Sequence, residues 1–321
     1  MVHLAEGERP IVPEAEWKLY DDSDYASEAG ASSTTSLASS ILSYQYENGR
    51  RYHAYRQGEY MFPNDDREQE RLELHSHICN MALGGELHRA PLKPGVNKIL
   101  DLGTGTGALY PEAVVIGTDL SPIQPTWVPP NCRFEIDDYE LAWNFPHPFN
   151  YIHMRGIEGS VKNFHRLFEQ AHQNLNTGGW FEICDFTVGV FSDDDSAEKA
   201  TNMRRWRDLL VEASQKFGKE FSVAKKYKQW MIDAGFKSVR EEIYKVPFSP
   251  WAKEQRLKDL GKYHQANMLE ALEAYSLALM TRFLGWSVED VQVLLKGVQQ
   301  ELTDRTLHIY SRLYVVYGQR E

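Results

Sequence analysis

Cysteine is scarce in this chain, three in 321 residues, and Cys79, Cys132 and Cys184 are scattered without the paired spacing of a metal site. Each lies in or beside an apolar segment, so reduced, buried thiols are expected, with no disulfide framework and no metal. Long apolar runs are missing too. None approaches the 18 residues that a membrane-spanning helix needs, so no membrane partner is expected. Positive charge is in deficit, with 35 Lys and Arg against 46 Asp and Glu and a net charge of −11. That balance argues against nucleic-acid binding through phosphates. A Ser-His-Asp set and a Walker phosphate loop are also lacking. The amino terminus has no charged-then-apolar leader pattern. A soluble protein of the cytoplasm is expected; the nucleus is the alternative, but no basic cluster supplies an address. What the chain does have is core material: 42% hydrophobic residues, with 17 Tyr, 14 Phe and 8 Trp.

Residues 98–107 carry the most informative pattern, Lys-Ile-Leu-Asp-Leu-Gly-Thr-Gly-Thr-Gly. A short apolar strand enters a turn containing Gly103, Gly105 and Gly107, where a ligand can approach backbone that a Cβ would shield. A second apolar run, Ala113 to Leu120, ends at Asp119, a carboxylate able to accept hydrogen bonds from a ribose. A glycine turn with an acid downstream marks an adenosine-containing cofactor on a doubly wound α/β sheet. Loosely read, Gly103-x-Gly105-x-x-Ala108 also satisfies the dinucleotide pattern. Asp101 argues against that reading, because a carboxylate just before the glycines would repel a pyrophosphate. It would attract the cationic amino group of S-adenosylmethionine. The spacing Asp-Leu-Gly-x-Gly-x-Gly is also similar to motif I of class I methyltransferases, and S-adenosylmethionine is the expected cofactor. One feature departs from the pattern. Only five residues separate Gly107 from the second strand, whereas a parallel crossover normally takes a dozen or more. The first helix is therefore expected to shrink to about one turn, stopped by Pro111.

The rest of the chain falls into three stretches. Residues 1–44 are acidic and then small and polar, and read as a disordered tail. Residues 45–95 read as an amino-terminal cap segment, with aromatics and arginines alternating before a helix from Asp65 to about Leu83 that Asn64 or Asp65 caps. Residues 96–321 read as the cofactor-binding core. Its strands are expected at 97–102, 113–118, 132–136, 149–154, 179–185, 238–246 and 307–317. Helices are expected near 160–175, 197–217 and 223–234. This rhythm makes a mostly parallel sheet with helices on both faces. A helical insertion at about 252–302, apolar at Leu269, Leu272, Tyr275, Leu277, Leu279 and Met280, is placed as a lid before the last strand.

Several stretches together resemble the fungal LaeA-like methyltransferases, a family that includes velvet-associated regulators and enzymes of secondary-metabolite pathways. They are Tyr-Glu-Asn-Gly-Arg-Arg-Tyr-His-Ala-Tyr at 46–55, Tyr-Met-Phe-Pro-Asn-Asp at 60–65, Leu-Asp-Leu-Gly-Thr-Gly-Thr-Gly at 100–107, and Gly-Thr-Asp-Leu-Ser-Pro-Ile-Gln-Pro at 117–125. Phe-Glu-Ile-Asp-Asp at 134–138, Tyr-Ile-His-Met-Arg at 151–155, Gly-Gly-Trp-Phe-Glu-Ile-Cys-Asp-Phe at 178–186 and Tyr-Val-Val-Tyr-Gly at 314–318 complete the set. The resemblance covers about residues 44–321. It implies a Rossmann-like class I methyltransferase sheet whose last strand forms an antiparallel edge hairpin. It also implies methylation of an oxygen or nitrogen on a small-molecule acceptor in a fungal pathway. The alternative it implies is a regulatory methyltransferase, or a non-catalytic partner in a velvet-type protein complex.

Under this reading Asp101 meets the cofactor's amino group, Gly103, Gly105 and Gly107 line its methionine and ribose portion, and Asp119 holds the ribose. Asp137 or Asp138 contacts the adenine amino group, as in similar enzymes; the other is then a turn or capping residue. Tyr52 and Tyr60 are candidates to close over the sulfonium by cation–π attraction, against a plain role in packing the cap. Arg155, ending the fourth core strand, is either an anchor for a substrate or cofactor carboxylate or part of a structural ion pair. His264 and Tyr275 in the lid are candidate substrate contacts. His53, His153 and His165 stand isolated in sequence and read as packing or surface residues. No catalytic residue or general base is assignable from the sequence.

Overall fold

The computed structural model describes Ile11 and residues 44–53, 56, 58–105, 113–124 and 128–321. Gly107, the shortened first crossover and Trp127 lie outside the described residues. Of the expected polar tail, Ile11 is described, and it is not free: it packs with Trp251, Ala252 and Tyr310, and its N–H donates to Asp193 at 2.8 Å.

A small hairpin comes first, β1 (Gln45–Glu47) and β2 (Arg50–Tyr52), paired antiparallel around Asn48 and Gly49. Arg50 grips Asp65 through two hydrogen bonds of 2.6 and 2.8 Å. Asp65 in turn caps helix α1 (Asp66–Ala82) by accepting from the Glu68 N–H. The sheet strands follow: β3 (Lys98–Leu102), β4 (Val114–Asp119), β5 (Cys132–Ile136), β6 (Phe149–Arg155), β7 (Leu175–Phe191), β8 (Lys237–Pro247) and β9 (Tyr310–Gln319). They form one seven-stranded sheet in the order β5-β4-β3-β6-β7-β9-β8. The first five in that order run parallel, while β9 lies antiparallel between β7 and β8. The expected edge hairpin of 238–246 with 307–317 is present, and this is the class I methyltransferase sheet.

Every expected strand and helix of the described core has a counterpart, with shifted ends. Helix α2 (Phe164–Gln173) starts late because Asn163 caps it by accepting from Arg166. The helix expected at 197–217 is split at Ala200 into α3 (Ser196–Lys199) and α4 (Thr201–Phe217). A short 3₁₀ turn, Ala224–Lys226, leads into α5 (Tyr227–Asp233). Strand β7 overruns its expected bounds in both directions, since its neighbours β6 and β9 cover it for nearly its whole length.

Alternating side chains feed three cores. Ile152 and Met154 of β6 point to the face covered by α2 and α5, against Phe168, Tyr227 and Met231. On the opposite face Ile78 and Cys79 of α1 meet Cys184, Leu313 and Val315. The third core belongs to the insertion: α6 (Gln255–Leu279), a π-helical turn at Met280–Leu284 and α7 (Val288–Thr303). There Leu272, Leu277, Val291 and Leu295 pack with Met203, Trp206 and Leu210 of α4. The lid is thus a helical layer with its own apolar centre.

Helix α6 passes so close to the β8 exit that only glycine fits at position 261. A Cβ there would stand 2.4 Å from the Ser249 carbonyl oxygen. Gly261→Ala should cost about 1–3 kcal/mol by overpacking and lower the melting temperature by several degrees in a thermal scan. An unchanged melting temperature would contradict this approach of the lid to the sheet.

Candidate active site

Strands β3, β4 and β6 bring their carboxyl ends together where the strand order reverses, the place at which open α/β sheets bind ligands. The turn leaving β3 has Gly103 and Gly105 at φ +68° and +57°, a left-handed conformation that a Cβ resists. Asp119, at the end of β4, ties this turn down. Its Oδ2 accepts from the Gly105 N–H at 3.0 Å and its Oδ1 from the Ser121 N–H at 2.9 Å. Burial pushes the Asp119 carboxyl up to about 6 despite those donors.

Asp101 and His153 are register partners on β3 and β6. The carboxylate accepts from His153 Nδ1 at 2.7 Å and from the Thr104 hydroxyl at 2.7 Å. Burial alone would raise its pKa, but these bonds outweigh it and hold Asp101 below the usual carboxylate range. His153, expected to stand isolated, is therefore the partner of the motif acid. Sequence spacing could not show this, because the two lie 52 residues apart.

A single cavity runs from this turn to the underside of the lid. Asp101, Gly103, Gly105, Asp119, Tyr60, Arg155, His264 and Tyr275 all line it. Arg155 donates to the Ser76 hydroxyl at 3.2 Å and, among the described residues, has no carboxylate within 4.0 Å. Among the described residues its guanidinium forms no ion pair, which leaves it turned toward the cavity. Three expected residues stand elsewhere. Tyr52 is buried in the hairpin with the Arg282 guanidinium 5.4 Å over its ring, so it belongs to the cap's packing and not to the cavity wall. Asp138 pairs with Arg56 at 3.2 Å and accepts from the Glu140 N–H. Asp137 accepts from the Asp138 N–H. Neither is part of the cavity lining, because the chain turns both carboxylates into their own loop as it leaves β5.

Other wall residues had gone unread. Asn64 donates to the Ser121 hydroxyl at 3.2 Å, joining the cap to the β4 end. Glu158 and Asp185 lie on the wall, and burial raises both, Glu158 to about 7 and Asp185 well above its ordinary value. An acid inside the apolar run at 181–186 was a signal in the sequence that no role had absorbed. The far end is apolar and aromatic, with Phe62, Phe186, Trp206, Phe221, Phe248 and Met268.

A methyltransferase domain model matches residues 75–241, just over half of the chain. The chain belongs to this methyltransferase family. Methyltransferase pytC of Aspergillus terreus is 39% identical over 297 residues, spanning 90% of this chain and 92% of that protein. Secondary metabolism regulator LAE1 of Cochliobolus heterostrophus is 32% identical, spanning 85% and 94% of the two chains. Probable methyltransferase tdiE of Emericella nidulans is 32% identical, spanning 79% and 82%.

The methyl donor of a class I methyltransferase is S-adenosylmethionine, and the residues at the β3–β4–β6 edge fit it. The two left-handed glycines leave backbone open to a ligand, Asp119 keeps lone pairs beyond its backbone donors, and the Asp101 carboxylate and the Arg155 guanidinium match an amino acid's two charges.

Hydroxyl donors from a ribose favour the charged form of Asp119, so binding lowers a pKa that burial has raised to about 6. Affinity for S-adenosylhomocysteine should therefore be full above about pH 6 and weaken as the pH falls below it. Calorimetric titration from pH 7.5 to 5 checks this, with Asp119→Asn expected to flatten the profile. A flat profile in the unsubstituted protein would reject the assignment.

Proposed function

We propose that this methyltransferase methylates an oxygen or nitrogen of a small secondary metabolite held between the sheet edge and the lid. The supporting observation is the continuity of the cavity: one end carries the glycine turn and Asp119, the other an aromatic chamber beneath the lid. Asp119 would hold the ribose, Gly103 and Gly105 the backbone side of the nucleoside, Asp101 the amino group and Arg155 the carboxylate. Tyr60, on the cavity wall, would face the sulfonium, whose positive charge suits an aromatic surface. When bound, S-adenosylmethionine supplies an activated methyl group. The protein's part is to hold the acceptor in line with it and to exclude water, contributions that dominate such a displacement.

A second reading has a specific observation behind it. LaeA of Aspergillus fumigatus, named a secondary metabolism regulator, is 31% identical over 285 residues. On that reading the chain acts in regulation, in a velvet-type complex, and its acceptor is a protein. Incubation of the protein with radiolabelled S-adenosylmethionine and a fungal extract separates the two: label in organic-soluble small molecules supports the first, label retained on protein the second.

S-adenosylhomocysteine should bind one to one in calorimetry, and Asp119→Ala should weaken it by about 1–3 kcal/mol through lost charged hydrogen bonds. Unchanged affinity would remove the role given to Asp119, and absence of binding in the unsubstituted protein would remove the cofactor site itself.

A further inference from the structure

Under the lid, consecutive turns of α6 present two polar side chains to the cavity, each with one end tied to the protein. His264 is 2% exposed. Its ring lies between Phe186 and Phe248, with centroids 5.1 and 5.0 Å away and planes inclined by 29° and 21°. Its Nδ1 donates to the Pro247 carbonyl at 3.1 Å. That bond puts the proton on Nδ1 and leaves Nε2 with a lone pair. Asn267, also 2% exposed, accepts on Oδ1 from Arg71 Nη1 at 3.1 Å. Arg71 is in turn held by Glu68 at 2.7 Å. A guanidinium has no acceptor, so the amide orientation is settled and Nδ2 is the free donor.

Among the described residues the hydrogen bonds of His264 run to the β8 backbone and that of Asn267 to Arg71, none of them from Nε2 or Nδ2, and both residues line the cavity. An acceptor and a donor one helical turn apart on an apolar cavity wall suit a ligand that carries one polar group able to meet both. The surroundings are apolar and aromatic: Phe62, Phe186, Phe248, Met268 and Tyr275. His153, the other imidazole beside a carboxylate on this wall, is turned to Asp101 at the glycine-turn end of the cavity, and the carboxylates nearer the lid are occupied. Glu158 accepts from the Val188 and Ala224 N–H groups. Asp185 accepts from the Ile157 and Glu158 N–H groups and from the Tyr227 hydroxyl. His75 has a partnerless Nε2, but that atom is sealed in the wall, against Gly156.

We propose that His264 is the general base, and Asn267 the orienting donor, for an acceptor bearing a hydroxyl on an apolar ring, so that the methylated atom is oxygen. This rests on the methyl-transfer reading above. The hydroxyl donates to Nε2 and accepts from Nδ2. In the displacement an oxygen lone pair forms the new C–O bond, and the C–S pair goes to sulfur, which loses its positive charge. The hydroxyl proton passes to Nε2 and from there to solvent. Burial pushes the His264 imidazole down to about 4. So weak a base leaves the smallest gap to bridge with an acidic hydroxyl, so a phenol or an enol suits the site better than an alkyl alcohol.

The test uses the full chain saturated with S-adenosylhomocysteine and compares binding of 1-naphthol with 1-methoxynaphthalene, which can accept but not donate. The naphthol should bind at least tenfold more tightly. His264→Asn keeps a donor for the Pro247 carbonyl but has no atom where Nε2 stood, and should bring the two affinities within twofold of each other. His264→Gln, whose amide oxygen reaches that position, should keep the preference. S-adenosylhomocysteine affinity within twofold of the unsubstituted protein certifies each variant as folded. Equal affinities in the unsubstituted protein, no binding of the naphthol, or a preference that survives His264→Asn would each overturn the proposal. Loss of S-adenosylhomocysteine binding in the unsubstituted protein would instead strike the methyl-transfer reading.

Discussion

The hydrogen bond from the Gly105 N–H to Asp119 is the constraint on which the site depends. It joins two adjacent strands at their carboxyl ends and holds a left-handed glycine turn open where a side chain would close it. It also keeps a carboxylate in a buried place against the cost of desolvation. The same edge carries Asp101, kept ionised by His153 and Thr104. Two acids thus sit within one crevice in different protonation regimes, one held low by donors and one raised by burial. The charge pattern of the crevice follows from that difference.

The lid completes the chamber, and it is braced from two sides. Arg67 of α1 pairs with Glu270 and Glu273 of α6, and Arg282 of the π-helical turn pairs with Glu47 of the hairpin. Exposed pairs of this kind contribute little each. The apolar core that α6 and α7 share with α4 carries the layer, and the pairs set its orientation on the cap. Because α6 is packed on both sides, His264 and Asn267 are held where their partners in the protein leave one polar atom apiece toward the cavity.

Much of this was legible in the residues. The apolar run at 98–102, the glycines after it and the acid at 119 announce a nucleoside site, since turn chemistry and strand periodicity are local. Asp65 as a helix cap follows from an equally local signal, while the edge hairpin, whose strands lie more than sixty residues apart, was implied by the family resemblance. The boundaries of β7 did not, because neighbouring strands extend it past its own apolar run. Tyr52, Asp137 and Asp138 stand off the cavity wall for a related reason. Alternation tells which face a residue occupies, but not whether a loop will turn its side chain into an ion pair such as Asp138 with Arg56.

The chain alone pointed to the sheet class, the adenosine-type edge and the apolar insertion, because strand periodicity, turn glycines and apolar runs are each readable within a short stretch of sequence. Only the tertiary structure decided that His153 serves Asp101, that Arg155 meets Ser76 on the cavity wall, and that Glu158 and Asp185 are spent on backbone donors. It also decided that His264 is tied to the Pro247 carbonyl through Nδ1. Those outcomes depend on which groups meet after distant segments pack. Hydrogen-bond partners 52 to 66 residues apart have no periodicity to betray them.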